Sequence, residues 1–236
     1  MGDHGPNFGF YRYEEVIGYE DMNPMLYISV PKFLREDEKL SNILVQNSKK
    51  LVTHFDLYST FIDIAISYGA EIPIDTTLHG ESLFKPIQDG RDCSKLGVSP
   101  MFCNCRYKRE MLAINDSLHS KIIDKIFENG NETIYPYRNV CKIPVFDSRF
   151  IPIIEQIFMP GTSKSLKVFK VTFETKPDYG RWWTYVHVHH TKNHSITNIN
   201  NMMQFGIRIN PAGWKCLTNI LNFCFCIKNS LWYENP

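Results

Sequence analysis

The chain has 236 residues, 43% of them hydrophobic and 22% charged, with 26 basic and 25 acidic side chains. That length holds one large domain or two small ones, and the balance belongs to a globular chain rather than a disordered one. A formal net charge of +1 offers no basic field for nucleic acid, and no apolar run is long enough to span a bilayer.

The chain opens on Asp3-His4-Gly5. A carboxylate beside an imidazole supplies hard oxygen and nitrogen, the mixture a catalytic zinc or similar divalent ion accepts, and the glycine lets the backbone turn away. The alternative is a polar, frayed terminus. Met1-Gly2-Asp3-His4 lacks the basic flank and apolar core of a secretory signal. An acidic pair, Glu20-Asp21, leads into Pro24–Pro31, where Leu26–Val30 has the pattern of a buried strand closed by proline.

Phe33 to about Leu51 reads as an amphipathic helix through Leu40, Ile43, Leu44 and Leu51. Phe55–Ser67 reads as a second, with Phe55, Tyr58, Ile62 and Ala65 on one stripe, Thr53 or Asp56 capping it, and Gly69 as its stop. Glu71–Arg109 is loop-rich. Met111–Phe127 returns to helical spacing through Met111, Ile114, Leu118, Ile122 and Ile126, with Asn129-Gly130 as the end. From Lys167 the period becomes two, and an antiparallel hairpin follows: Lys167–Glu174, a turn at Pro177-Asp178-Tyr179-Gly180, then Arg181–His190. Ser195–Ile199 adds a third strand.

Seven cysteines fall after residue 90: Cys93, Cys103, Cys105, Cys141, Cys216, Cys224 and Cys226. Cys-x-Cys spacing departs from the Cys-x-x-Cys zinc knuckle, and no His pair lies at finger distance. Three glycosylation sequons begin at Asn115, Asn131 and Asn193. Together they favour an oxidising compartment, with at least two disulfides, over metal at these sulfurs. Residues two apart on a strand sit near or beyond the usual bridge separation, so each member of a Cys-x-Cys pair is expected to reach elsewhere. The odd count leaves one thiol free or paired outside the chain.

Three further histidine groups are candidates. His54 lies beside Asp56 at the mouth of a helix and suits a ligand or general base, or a loop-organising role. His79 precedes Gly80 and suits a packed turn. His187 and His189 share one strand face about 7 Å apart at Cα, a spacing open to a metal chelate, but Trp183 and Tyr185 share that face, and an exposed face is the default. Arg181-Trp182-Trp183 could stack a sugar or base; packing of a small β layer explains the rings more simply.

Asp3-His4-Gly5, Gly9-Phe10-Tyr11-Arg12 and the apolar stretch ending in Pro31 resemble the C-terminal half of the alkaline-phosphatase and sulfatase superfamily, closest to its animal branch known as domain of unknown function 229. The likeness continues through Val52–Asp63, similar to the sulfatase Ser/Thr-His-x-Asp-x-x-x-Thr-x-x-Asp segment. It runs on through His79–Phe84, Arg91-Asp92-Cys93, Cys103-Asn104-Cys105, Phe173–Pro177 and the terminal cysteines. The resemblance implies an α/β fold over residues 1–90, the C-terminal part of a doubly wound sulfatase-like domain, and the switch in periodicity adds a cysteine-braced α+β tail: a cysteine-containing loop and helix region over 91–160 and a small antiparallel β subdomain over 161–236. It implies an extracellular protein and a divalent metal (zinc, calcium or manganese) in the complete domain, with Asp3 and His4 as the ligands carried over. The family's nucleophile and most of its ligands precede this motif. The chain thus reads as a C-terminal fragment, inactive alone and without a stably bound ion. The competing reading is a non-catalytic extracellular binding or structural protein. Partners are not legible beyond the absence of nucleic-acid and transmembrane signals.

Overall fold

The computed structural model of the chain describes residues 2–5, 15–73, 79–142, 144–160, 162–176, 179–193, 195–203, 205–209, 215–216, 224–226 and 233–234. Gly9–Arg12 and the turn residues Pro177 and Asp178 lie outside these. Two compact units divide the chain at Cys105 and Arg106. The structure is a mixed α/β one, with an antiparallel sheet and two disulfides among the described residues.

The first unit is helical in its described residues. Helices α1 (Glu15–Asp21), α2 (Lys32–Arg35), α3 (Glu38–Asn47) and α4 (His54–Ser67) are joined by loops. The single helix expected from Phe33 is broken because Asp37 caps a new start, accepting from the Leu40 amide at 3.0 Å. The strand expected at Leu26–Val30 does not form. Residues 24–31 have no regular secondary structure, and Met25 and Tyr27 are 75% and 80% exposed. A strand needs a neighbour to satisfy its amides and bury its faces. Among the described residues, the segment's backbone carbonyls accept from the Gly2 amide at Met25, 3.0 Å, and from the Leu34 and Arg35 amides at Pro31, 3.1 and 3.2 Å, and none of these is a strand pairing.

Helix α4 forms where expected, but another stripe is buried. Asp56, Leu57 and Thr60 face inward, while Phe55, Tyr58 and Phe61 are exposed. Leu57 packs with Leu83 and Ile87. The loop carrying those two is held by Asn47, whose amide donates to the carbonyls of Leu83 and Lys85 at 2.9 and 2.8 Å and accepts from the Ile87 amide at 3.1 Å. Gly69 ends α4 at φ 86°, a backbone glycine adopts without penalty.

The second unit is a sheet covered on one face by α5 (Ser117–Ile134). Its strands are β1 (Lys108–Met111), β3 (Val145–Phe146), β4 (Ile153–Phe158), β5 (Leu166–Lys176), β6 (Gly180–His190), β7 (Ile196–Asn201) and β8 (Ile207–Arg208). They run antiparallel in the order β1-β4-β5-β6-β7, with β3 beside β5 and β8 beside β6. The expected hairpin and third strand are present, with Phe173 opposite Trp182. Alternation puts Phe169, Val171, Phe173, Trp182, Val186 and Val188 on the covered face, against Leu118, Ile122 and Ile126. Two short pairs complete the unit: β2 (Cys141–Lys142) with β10 (Phe225–Cys226), and β9 (Lys215–Cys216) with β11 (Tyr233–Glu234).

Helix α5 differs from the sequence expectation at both ends. Met111 lies in β1, because Asp116 is the cap, accepting from the Leu118 amide at 2.8 Å. The helix runs on through Asn129-Gly130 to Ile134. Gly130 is there for space rather than termination: a Cβ would stand 2.5 Å from the Phe205 ring. Phe205 in turn meets Phe127, Phe173 and Trp182 edge-on at 5.3–5.4 Å.

Candidate functional site

Asp3, His4 and Gly5 lie against the end of α1. The Gly5 amide donates to the Asp21 carbonyl at 2.8 Å, and a Cβ at Gly5 would collide with the Glu20 carbonyl. Glycine is therefore required by this close approach. The His4 Nδ1 lies 2.6 Å from the Gly5 carbonyl and 3.3 Å from Asp21 Oδ1, a buried oxygen. A carbonyl can only accept, so Nδ1 carries the hydrogen. In the neutral ring the lone pair then sits on Nε2, 3.8 Å from Asp3 Oδ2. The Gly5 carbonyl, then the carboxylates of Asp3 and Asp21, hold the His4 pKa above its usual value. Backbone amides of Asp3 and His4, then the imidazole, hold the Asp3 carboxyl below its own.

The donor types here, an imidazole nitrogen and a carboxylate oxygen, are those a borderline divalent ion such as zinc takes. Nδ1 is oriented by the Gly5 carbonyl, and Asp3 stands beside the other ring nitrogen. It provides two donors, whereas a closed or catalytic zinc site takes three or four protein ligands. His54 does not supply a third in this geometry: its Nε2 lies 3.2 Å from the Gly2 carbonyl. His79 packs edge-on against Phe55, ring centroids 5.8 Å apart, and lies over Gly97.

Asp56, on the first turn of α4, is a structural hub. Its Oδ2 accepts from the Thr53 amide at 2.7 Å, closing the capping box. Its Oδ1 accepts from the Glu81 amide at 2.8 Å and from Arg91 at 2.6 Å, and Arg91 also donates to the Leu51 carbonyl at 3.0 Å. Asp56 and Arg91 side chains are 0% and 6% exposed. Gly80 presses on the same turn, where a Cβ would collide with the Phe55 carbonyl. The Thr-His-Phe-Asp and His-Gly-Glu segments thus lock one loop onto one helix. The cap is legible in the sequence and the Arg91 partner is not, because nothing in spacing announces an ion pair 35 residues apart.

The sulfurs form a second cluster. Cys93 is bonded to Cys103, and Cys105 is a free thiol. All three sulfurs lie within 4.8 Å of one another, the only such metal-sized group of three ligands among the described residues. The bridge uses two of the three as disulfide sulfur. Cys141 is bonded to Cys224. The expectation of two disulfides after residue 90 is met, and Cys103 and Cys224 each reach outside their Cys-x-Cys pair. The side chains of Cys216 and Cys226 lie outside the described residues.

On the side of the sheet away from α5, β6 presents Trp183, Tyr185, His187 and His189 together, as alternation requires. His187 Nε2 is buried with no hydrogen-bond partner among the described residues. Burial, then the nearby His189, pushes the His187 pKa down. This histidine is held neutral among packed side chains, opposite Val168 and Asn200. Asn115, Asn131 and Asn193 are all exposed, on a turn, within α5 and in the β6–β7 hairpin connection respectively.

A family model described as "Protein of unknown function (DUF229)" matches residues 1–145. The chain belongs to this family. No curated protein and no solved structure matches it. The matched region holds the Asp3-His4 pair, the Asp56–Arg91 lock, the Cys93–Cys105 cluster and α5; most of the sheet follows it.

Proposed function

We propose that this chain is the C-terminal part of an extracellular, sulfatase- or phosphatase-like hydrolase domain, in which Asp3 and His4 are two ligands of a divalent ion. The observation that carries the reading is the His4 ring: its Nδ1 donates to the Gly5 carbonyl with Asp21 Oδ1 3.3 Å away, and its Nε2 is left open beside Asp3. A bound zinc, calcium or manganese ion would polarise an ester oxygen. The Gly5 carbonyl fixes the ring's tautomer, and Asp3 supplies anionic charge at the open nitrogen. The remaining ligands and the nucleophile are assigned to the half that precedes Asp-His-Gly in the superfamily this chain resembles. The exposed apolar side chains of Met25, Leu26, Tyr27 and Ile28 support this, as a surface that the complete domain would cover. The three-part division at residues 90 and 160 belongs to the same reading.

Two disulfides and three exposed sequon asparagines support the extracellular assignment, and no described helix is long and apolar enough to cross a membrane. The chain by itself is expected to hydrolyse neither aryl phosphates nor aryl sulfates. Turnover that persists through repurification and is lost in Asp3→Ala would contradict the division of labour proposed here.

A further inference from the structure

We propose that Cys93, Cys103 and Cys105 form a thiol–disulfide exchange site, in which the bridge moves between Cys93–Cys103 and Cys93–Cys105. Three observations converge. The Cys105 Sγ lies 3.4 Å from the Cys93 Sγ, so a free thiol is in contact with one sulfur of the bond. The Cys105 backbone amide points at the Cys103 Sγ, 3.3 Å away. Burial is graded in the sense exchange requires: Cys93 is 3% exposed, while Cys103 and Cys105 are half-buried.

Each observation has a chemical role. Cys93 is the pivot, fixed in the tight turn where the Val98 amide donates to its carbonyl at 2.8 Å. Cys105 loses its proton to solvent, and its thiolate attacks the Cys93 sulfur. The Cys93–Cys105 bond forms as the Cys93–Cys103 bond breaks. Cys103 leaves as a thiolate and takes a proton from water. One disulfide and one thiol stand on each side, so the step needs no oxidant or reductant. The Cys105 N–H favours this direction by donating to the departing sulfur, and a better-stabilised leaving thiolate departs faster. Attack on Cys103 instead would join residues two apart, at or beyond the usual bridge separation. The three sulfurs are bent rather than in line, since all fall within 4.8 Å. A rotation of the Cys105 side chain brings it behind the bond. Exchange frees Cys103, which now holds the end of the 3-10 turn at Pro100–Phe102.

The test uses the full oxidised chain, held at about pH 8, where an ordinary thiol is partly ionised. The sample is then quenched in acid, alkylated and mapped without reduction. The expected result is two populations, one with Cys105 alkylated beside a Cys93–Cys103 bridge, the other with Cys103 alkylated beside Cys93–Cys105. Their interconversion should quicken about tenfold per pH unit below the thiol pKa. Cys105→Ser should leave Cys93–Cys103 as the one pairing, and Cys103→Ser should form Cys93–Cys105. A single pairing with alkylation confined to Cys105 at every time point would overturn the proposal. So would a Cys103→Ser chain in which Cys93 and Cys105 stay reduced under air, or a Cys105 bridged to Cys216 or Cys226.

Discussion

Asp56 shows what one buried carboxylate does when every oxygen lone pair is used. It caps a helix, holds a loop amide and neutralises a buried guanidinium at once. Removing either charge strands the other, which typically costs about 3–5 kcal/mol. Asp56→Ala and Arg91→Ala are each expected to lower the denaturation midpoint by an amount of that order, measured by denaturant titration. His187 makes a second residue-level case. Its folded pKa lies below the usual 6.5, so protonation costs more in the folded chain than in the unfolded one. The stability this histidine permits is fully present above about pH 6.5 and declines as pH falls towards the lowered folded value. His187→Gln should flatten that decline relative to the unmutated chain, again in denaturant midpoints across the window. Equal slopes in both chains would show that the ring is not held neutral.

At the scale of elements, periodicity was a good guide where a segment makes its own boundaries and a poor one where a distant side chain sets them. The hairpin from Leu166 to His190 was legible because strict alternation buries one face against α5. The capping box of α4 was legible from Thr53 and Asp56. The end of α5 was not, since Gly130 looks like a stop and is instead a seat for Phe205, 75 positions along the chain and invisible to any local window. The buried stripe of α4 was misplaced because Asp56 and Thr60, polar by type, turn inward to hold the Gly80–Leu83 loop; the Thr60 hydroxyl accepts from the Leu83 amide at 2.9 Å. At Leu26–Val30 composition pointed to a strand, and no composition supplies the neighbour a strand needs. A sharp contrast follows from the two helical glycines. Gly18→Ala, with nothing within 4 Å of the added carbon, should stabilise by up to about 1 kcal/mol through helix propensity. Gly130→Ala, driven into the Phe205 ring, should destabilise by about 1–3 kcal/mol despite the same propensity gain. Thermal melts of both variants check the opposite signs.

At the scale of the whole molecule, the chain is two units, each with its own means of closure: a hub of buried hydrogen bonds and a short bridge in the first, a covered sheet and a long bridge in the second. The Cys141–Cys224 bond spans 83 residues of sequence. By chain entropy a loop of that length is worth about 4.5 kcal/mol. Cys141→Ser is expected to remove most of that from the second unit while Cys93 stays disulfide-bonded within the Cys93–Cys105 cluster on peptide maps. The functional claim rests on the other unit and on one ring orientation. The measurement that tests it most directly is a zinc titration of the full chain, followed through the ring signals of its eight histidines by NMR. The account predicts that the His4 signals move first, that its Nδ1 keeps the proton throughout, and that Asp3→Asn weakens the response. Movement of His187 and His189 ahead of His4, or a His4 response indifferent to Asp3, would contradict it.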